Sequence, residues 1–169
     1  MANPARRPLL FLDVDGTLLP LGGAQPPTTP DLLGQWQHIF NPQLAKLVPG
    51  HGPRLLALPC ELMWATAWMH EANEVIAPML GLPELPVCDL PEVRVGQDDE
   101  TLHWKTQALV AAAAGRPFVW VDDEISDHDR AWVADNHQGE ALLHRVESSV
   151  GLTDDDFTAL TVWLESSAG

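Results

Sequence analysis

The sequence has few cysteines and no long apolar run, and each shortage excludes a class of protein. The two cysteines, Cys60 and Cys88, do not form a CxxC pair, so neither a disulfide framework nor a zinc site is expected. No stretch approaches the ~20 consecutive apolar residues of a membrane-spanning helix. The apolar run near the N-terminus is interrupted at Asp13, before the hydrophobic region of a signal peptide would be complete. We therefore expect a cytoplasmic protein that does not contact a membrane.

Basic residues are also scarce. Lysine and arginine number 9 against 24 acidic residues, which gives a formal net charge of -15 and a pI near 4.5. This charge disfavours a surface that binds nucleic acid or anionic lipid through counterion release, and it favours solubility and cation binding. With 169 residues, 46% of them hydrophobic, the chain is long enough for one core, so residues 1–169 are expected to form a single domain.

Short apolar runs alternate with longer segments of helical character, a pattern typical of β-α units around a parallel sheet. The runs are nearly continuous, as expected for strands that are covered on both faces. Five strands are predicted, at residues 9–14, 62–66, 86–90, 118–122 and 141–146. The expected fold is therefore α/β, a Rossmann-like three-layer sandwich with a central five-stranded parallel sheet.

Helix-start and helix-stop signals lie between these runs. Asn41 and Pro42 are typical of an N-cap and a first helical position, so a helix is expected to start there. A second helix is predicted within residues 98–117, which begin with acidic residues and end with a stop signal at Gly115. Residues 20–40, rich in proline, glycine and threonine, are expected to form an irregular loop or flap. Capping-box spacing predicts two further helix starts, at Ser126 with Asp129 and at Thr153 with Asp156.

Polar residues stand where the predicted strands end, and in an open parallel sheet these ends meet along one crevice. They are Asp13 and Asp15 after the first strand, Thr66 on the second, Asp122 and Asp123 on the fourth, and Lys105 on the helix before it. Carboxylates crowded at one edge repel one another, by about 4 kcal/mol for unit charges 4 Å apart near a protein surface. A hard divalent cation removes that repulsion, and oxygen ligands point to Mg²⁺.

Four motifs carry these residues: "DVDGTL", "WATAW", "HWKTQAL" and "VWVDDE". Their order across nearly the whole chain resembles the haloacid dehalogenase (HAD) superfamily of phosphohydrolases. The resemblance implies that Asp13 attacks phosphorus to form an aspartyl phosphate, and that Asp15 protonates the leaving oxygen and then activates water. It also implies that Thr66 holds phosphate oxygens and that Lys105 offsets negative charge.

The same resemblance implies a Mg²⁺ site. The ion would be held by the Asp13 carboxylate and the Asp15 backbone carbonyl, with Asp122 and Asp123 supporting it directly or through water. Aspartate at position 15 favours phosphatase or phosphotransferase chemistry, since the family's ATP-driven transporters usually have threonine there and its dehalogenases lack the second acid. Response-regulator receivers use similar residues, but their paired acids precede the phosphorylated aspartate, so the order here opposes that interpretation.

The spacing between motifs bears on substrate access. The gaps from Asp15 to Thr66 and from Thr66 to Lys105 are 51 and 39 positions, which leaves no room for a large cap domain. The chain thus resembles the capless branch, whose open sites often admit phosphates on macromolecules, although small-molecule enzymes also occur there. A finer pattern, "NPQLAKL" followed by "ELMWATAWMHEANEVIAPMLGLP", is similar to HAD domains of multidomain RNA-repair proteins.

The predicted function is a Mg²⁺-dependent phosphatase, a phosphomonoesterase whose substrate is a nucleotide or a nucleic-acid end. The alternative is a HAD-like phosphate- and Mg²⁺-binding module that acts mainly through a protein partner. Two roles stay open at this point. Trp64 and Trp68 could stack bases, although packing is favoured, and Asp127 either supports the metal site or merely begins a helix.

Overall fold

The structure, a computed structural model, describes residues 7–91 and 102–167. Its centre is a parallel sheet in the order β2-β1-β3-β4. The strands are β1 (Leu9–Leu12), β2 (Glu61–Trp64), β3 (Phe118–Asp122) and β4 (Ala141–Arg145). Leu12 stands opposite Trp64 on one side and Val121 on the other. The carboxyl ends of the three strands that precede the predicted site residues therefore lie side by side.

Helices cover both faces of this sheet. They are α1 (Pro30–Trp36), α2 (His51–Leu56), α3 (Ala77–Leu80), α4 (Thr106–Ala113), α5 (Asp127–Asn136) and α6 (Asp154–Ser167). A 3-10 helix (Pro42–Lys46) precedes α2, and a π-helical turn (Ala72–Ile76) leads into α3. Both predicted capping boxes are confirmed, because the side chains of Ser126 and Thr153 each exchange hydrogen bonds with the acid three residues later.

Alternate residues of β1 point to opposite faces of the sheet, as the twofold repeat of a strand requires. Leu10 and Leu12 join the hydrophobic cluster that includes residues of α2, α3 and α6, whereas Leu9 and Phe11 join the cluster that includes residues of α4 and α5. The sheet is thus covered on both sides, and the predicted three-layer, Rossmann-like α/β arrangement is confirmed.

The predicted five-stranded sheet is wrong in one respect: the described residues form a sheet of four strands. Residues 86–90 contribute a single parallel bridge, between Val87 and Trp64. The N–H of Trp64 donates to the Pro86 carbonyl at 2.9 Å, and the N–H of Cys88 donates to the Trp64 carbonyl at 2.8 Å. Pro86 lacks the N–H that would extend this ladder toward the start of β2.

Two further expectations need correction. The acidic start of the predicted helix at residues 98–117, formed by residues 98–100, lies outside the described residues, and α4 begins at Thr106, after non-helical residues 102–105. The predicted loop at residues 20–40 contains α1, which starts at Pro30, a residue whose fixed φ suits the first helical turn. The predicted cap at Asn41 is present, but it begins a 3-10 helix instead of an α-helix, with Asn41 Oδ1 accepting from the Gln43 N–H at 2.9 Å.

Between β1 and β2 the chain forms only α1, the 3-10 helix and α2, and the described parts of the chain contain no cap domain. Among the helices that the structure describes, none is both long and apolar enough to cross a membrane. Cys60 and Cys88 are buried free thiols, as the expected lack of a disulfide framework requires.

Candidate active site

Asp13 is positioned by the sheet and by the turn that follows β1. Its N–H donates to the Val121 carbonyl at 3.2 Å, so the backbone stays attached to β3 for one residue beyond the strand. The chain then turns, with the N–H groups of Thr17 and Leu19 both donating to the Val14 carbonyl. The Thr17 hydroxyl donates to Asp13 Oδ2 at 3.3 Å. The Asp13 side chain is therefore buried and held in one orientation.

Glycine at position 16 is required for two reasons. Its φ is +78°, in the left-handed region that only glycine enters without strain. A Cβ atom at this position would also overlap the Asp123 carboxylate. The turn after β1 and the carboxylate that follows β3 can approach each other only because residue 16 lacks a side chain.

Lys105 connects two of the predicted acids. Its buried Nζ donates to Asp13 Oδ1 at 2.9 Å and to Asp122 Oδ2 at 2.7 Å. The turn that carries Lys105 is held by Asp129, whose Oδ1 accepts from the His103 N–H and from the Thr106 hydroxyl, each at 2.8 Å. These bonds attach the turn before α4, and the first residue of α4, to α5.

Three carboxylates form the centre of the site. One oxygen each of Asp13, Asp122 and Asp123 lies within 4.8 Å of the other two. Asp122 is held at both oxygens, since its Oδ1 accepts from the Glu124 N–H at 3.0 Å and its Oδ2 accepts from the Trp120 indole at 3.2 Å. Three oxygen donors at this spacing suit a hard divalent cation such as Mg²⁺.

Burial and mutual repulsion perturb these carboxylates. Burial, with the Asp122 charge, raises the pKa of Asp13 to about 8, against the pull of Lys105. Burial and the charges of Asp13 and Asp122 raise the pKa of Asp123 to about 10. Burial alone would raise the pKa of Asp122, but the Lys105 ammonium outweighs it and holds that pKa below its usual value. Lys105 thus neutralises only part of the cluster, and a cation would neutralise the rest.

Lys105 stays charged in this environment. Burial alone would lower the pKa of its ammonium, but the carboxylates of Asp122 and Asp13 outweigh burial and raise that pKa above its ordinary value. The site therefore contains a fixed positive charge, buried among oxygen atoms, at the carboxyl ends of β1 and β3.

Asp15 is held by two tryptophans. The Trp36 indole donates to Asp15 Oδ1 at 2.7 Å, and the Trp68 indole donates to Asp15 Oδ2 at 3.1 Å. Burial raises the pKa of the Asp15 carboxyl, while the two indole hydrogen bonds act in the opposite direction. The carboxylate is not among the three grouped at the candidate cation site.

Thr66 lies two residues beyond the end of β2, at the same edge of the sheet, and is buried. Its hydroxyl oxygen accepts from the Trp68 N–H at 3.1 Å, and its carbonyl accepts from the Met69 N–H at 3.0 Å. Met69 has a φ of +50°, unusual for a residue with a long side chain. The segment after β2 is thus a tight turn, and the role of Thr66 as a phosphate ligand stays a prediction.

The structure distinguishes between the alternative roles that the sequence left open for Asp127 and for the two tryptophans. Asp127 is the first residue of α5, with a fully exposed side chain that pairs with Arg130 at 3.3 Å, so it is a helix-start residue. Trp64 and Trp68 are both buried, which agrees with packing and leaves neither ring face open to a base. The Trp64 indole donates to Asn73 Oδ1 at 2.8 Å, away from the acids.

Sequence reasoning missed Trp36 and the contact of Trp68 with Asp15. Trp36 stands 21 positions from Asp15, in a segment whose composition indicated an irregular loop. Trp68 lies inside a recognised motif, but nothing in the motif shows where its N–H points. Thr17 was available from the sequence as part of "DVDGTL", although its bond to Asp13 depends on the turn.

One family model matches the chain, over residues 9–157, from β1 into α6. The family is described as the HAD domain in Swiss Army Knife RNA repair proteins. No curated protein and no solved structure gives a significant match.

Proposed function

The chain belongs to the family of HAD domains in Swiss Army Knife RNA repair proteins, and from this membership we propose that it is a Mg²⁺-dependent phosphomonoesterase. Membership supports a phosphatase-type hydrolase in general. The finer proposal names Asp13 as the nucleophile and a nucleotide or a nucleic-acid end as the carrier of the phosphate.

The observation that supports this best is the buried Lys105 between two carboxylates. A lysine that served only as a solvent-facing residue of a helix would be exposed. Lys105 Nζ instead lies within 2.9 Å of a carboxylate oxygen of both Asp13 and Asp122, and its side chain is 4% exposed. Burying an ion pair is costly and adds little net stability compared with apolar packing. Such an arrangement is instead typical of a site where charge must be placed for a reaction.

The proposed reaction has two steps. A carboxylate oxygen of Asp13 forms a bond to phosphorus while the bond from phosphorus to the leaving oxygen breaks, and Asp15 gives that oxygen its proton. Asp15 then accepts a proton from the water that attacks phosphorus, which releases inorganic phosphate and frees Asp13. Lys105 keeps Asp13 oriented and offsets the negative charge of the phosphoryl group.

Thr66 is proposed to bind a phosphate oxygen through its hydroxyl. Asp13, Asp122 and Asp123, with the backbone carbonyl of Asp15, are proposed to hold Mg²⁺. When bound, the ion supplies positive charge that stabilises the transferring phosphoryl group. The donor set consists of oxygen atoms alone, which fits Mg²⁺ better than a soft metal.

The proposed substrate class follows from the family and from the lack of a cap in the described residues. The family is named for RNA repair proteins, and this name favours a phosphate at a nucleic-acid end as the substrate. Without a cap, a phosphate on a large molecule can reach Asp13. The acidic chain would then hold such a substrate at its end, through local contacts, and not along its length.

The experiment is a phosphate-release assay on a terminally phosphorylated RNA oligonucleotide, a mononucleotide and an aryl phosphate, each with Mg²⁺ and with excess chelator. We expect turnover that chelation abolishes and added Mg²⁺ restores, and no turnover by Asp13→Asn. Full activity after exhaustive chelation would contradict the metal proposal. Release of no phosphate from any substrate, with Mg²⁺ bound, would favour the alternative, a binding module that acts through a protein partner.

A further inference from the structure

We infer that Trp36 and Trp68 are positioning residues that orient the Asp15 carboxyl group for proton transfer to the leaving oxygen. The inference rests on the proposed function, because it assigns Asp15 the acid-base role. It adds two residues, one of them in α1, that neither the motifs nor the family description assigns.

Both oxygens of Asp15 are bound, each by a different indole. Trp36 Nε1 lies 2.7 Å from Oδ1, and Trp68 Nε1 lies 3.1 Å from Oδ2. One hydrogen bond would still let a carboxylate rotate about its bond to Cβ, whereas one bond on each oxygen fixes the plane of the group. The two donors come from segments 21 and 53 positions away from Asp15, so the orientation is set by the tertiary fold.

The chemistry of the donors suits an acid-base group. An indole N–H only donates, and it cannot accept a proton from the carboxyl group. Each carboxylate oxygen has two lone-pair directions, so each keeps one free for the transferable proton or for the substrate. Two indoles therefore hold Asp15 in place without competing for the proton that it must deliver.

The two donors differ in how firmly they are placed. Trp68 is 1% exposed and belongs to the core cluster on one face of the sheet. Trp36 is the last residue of α1, a helix with no buried residue, and its half-buried side chain packs against the outside of the same cluster. Replacing the indole of Trp36 by a phenyl ring should consequently disturb Asp15 with less effect on the core than the same change at Trp68, which makes Trp36 the better test position.

The contact itself can be tested without any substrate. With ¹⁵N-labelled tryptophan, Asp15→Ala should move the indole N–H resonances of Trp36 and Trp68 upfield, because both lose a carboxylate acceptor. The resonance of Trp64, whose indole is bound to Asn73, should stay in place. Unchanged resonances of Trp36 and Trp68 in a folded Asp15→Ala protein would overturn the inference, whatever the enzyme does.

The functional part is tested with Trp36→Phe and a matched control, Trp64→Phe, which removes an indole N–H from the same protein away from Asp15. The assay compares 4-nitrophenyl phosphate, whose leaving group needs little protonation, with phenyl phosphate, whose leaving group needs more. Trp36→Phe should lower kcat/KM for phenyl phosphate by at least roughly tenfold more than for 4-nitrophenyl phosphate, since general acid catalysis is worth about 10²–10⁴-fold. Trp64→Phe should leave the ratio of kcat/KM for the two esters as it is in the wild type.

The outcomes separate the inference from the proposed function. If the wild type hydrolyses both esters and Trp36→Phe slows both by the same factor, Trp36 has a structural role and the inference is wrong. If the wild type hydrolyses neither ester nor a terminally phosphorylated oligonucleotide, the proposed function fails and the acid-base assignment fails with it. In that case the indole resonances still report whether the tryptophans hold Asp15.

Discussion

The carboxylate of Asp123, which we propose as a Mg²⁺ ligand, is expected to lower the stability of the cation-free fold. It is half-buried beside Asp13 and Asp122, and its pKa is raised to about 10 by burial and by those charges. Because the folded pKa lies above the unfolded one, the folded protein binds the proton more tightly. The free energy of unfolding therefore falls as pH rises from about 4 toward 10.

Asp123→Asn should accordingly stabilise the protein in the absence of divalent cations. The asparagine side chain does not ionise. The free energy of unfolding of the variant should therefore equal that of the wild type near pH 4 and exceed it by at least about 1 kcal/mol at pH 7, which corresponds to roughly 2–4 °C in Tm for a chain of this size. Thermal unfolding with chelator at several pH values measures this difference. With Mg²⁺ added, the wild type should gain more stability than the variant, and an equal gain would argue against Asp123 as a ligand.

Lys105 permits a second prediction at the residue scale. Lys105→Met removes the ammonium and leaves the buried carboxylates of Asp13 and Asp122 without a compensating positive charge, a change that typically costs about 3–5 kcal/mol of stability, in addition to abolishing turnover. Lys46→Met is the matched control, since Lys46 is the other lysine of the chain and its exposed Nζ donates to the Leu21 carbonyl at 3.3 Å. A Lys105→Met protein that is stable and active would remove Lys105 from the site.

The residues of the site differ in how far the sequence could predict them. The sequence predicted that four side chains lie close together, because parallel strands end at one edge of the sheet and the four motifs place polar residues at those ends. The structure brings these side chains together: Asp13, Lys105, Asp122 and Asp123. Trp36 could not be predicted in the same way, since its approach to Asp15 depends on how α1 folds back across the edge, and no local pattern encodes that path.

At the scale of elements, Asp129 joins the turn before α4 to the start of α5. Its Oδ1 accepts from the His103 N–H and the Thr106 hydroxyl, and its Oδ2 accepts from the N–H and hydroxyl of Ser126. The capping box that the sequence predicted as a helix start therefore also fixes the segment that carries Lys105. A local signal here has a tertiary consequence for the site.

Asp129→Asn should weaken this junction, because an amide offers one acceptor oxygen where the carboxylate offers two. We expect a loss of about 1–3 kcal/mol of stability and a lower kcat, since Lys105 would be held less firmly. Asp127→Asn is the control, because Asp127 lies two residues earlier and its side chain is exposed. This variant should change neither the free energy of unfolding nor kcat by much. Denaturant unfolding and phosphate release measure the two effects, and a wild-type kcat in Asp129→Asn would show that the junction does not position Lys105.

The elements that the sequence failed to predict share a physical cause. At residues 86–90 the apolar run suggested a strand, but Pro86 has no N–H to donate to β2, and the pairing is limited to the bridge between Val87 and Trp64. For α4, the acids at residues 98–100 and the apolar spacing from residue 102 indicated an earlier helix start, whereas the His103 N–H donates to Asp129 Oδ1 and the described residues before Thr106 are not helical. In both cases hydrogen bonding contributes to the boundary, and hydrophobic patterning does not report it.

At the scale of the whole molecule, the fold and the net charge act in opposite directions on a polymeric substrate. The described residues leave the edge of the sheet without a cap, which suits a phosphate on a large molecule. The net charge of -15 repels a polyanion over distances up to the Debye length, about 10 Å at 0.1 M salt and about 3 Å at 1 M. Encounter with an oligonucleotide should therefore be slowed at low salt and eased as salt screens the repulsion.

The negative net charge predicts an unusual salt dependence of turnover. With Mg²⁺ held constant, kcat/KM for a terminally phosphorylated RNA oligonucleotide should rise between low and moderate NaCl, whereas proteins that bind nucleic acid through basic surfaces lose affinity steeply over that range. A mononucleotide carries fewer charges, so its kcat/KM should change less and serves as the control in the same buffers. A steep fall in kcat/KM for the oligonucleotide alone would mean that a local basic surface binds the strand despite the overall charge, and that end-on recognition through the site is the wrong picture.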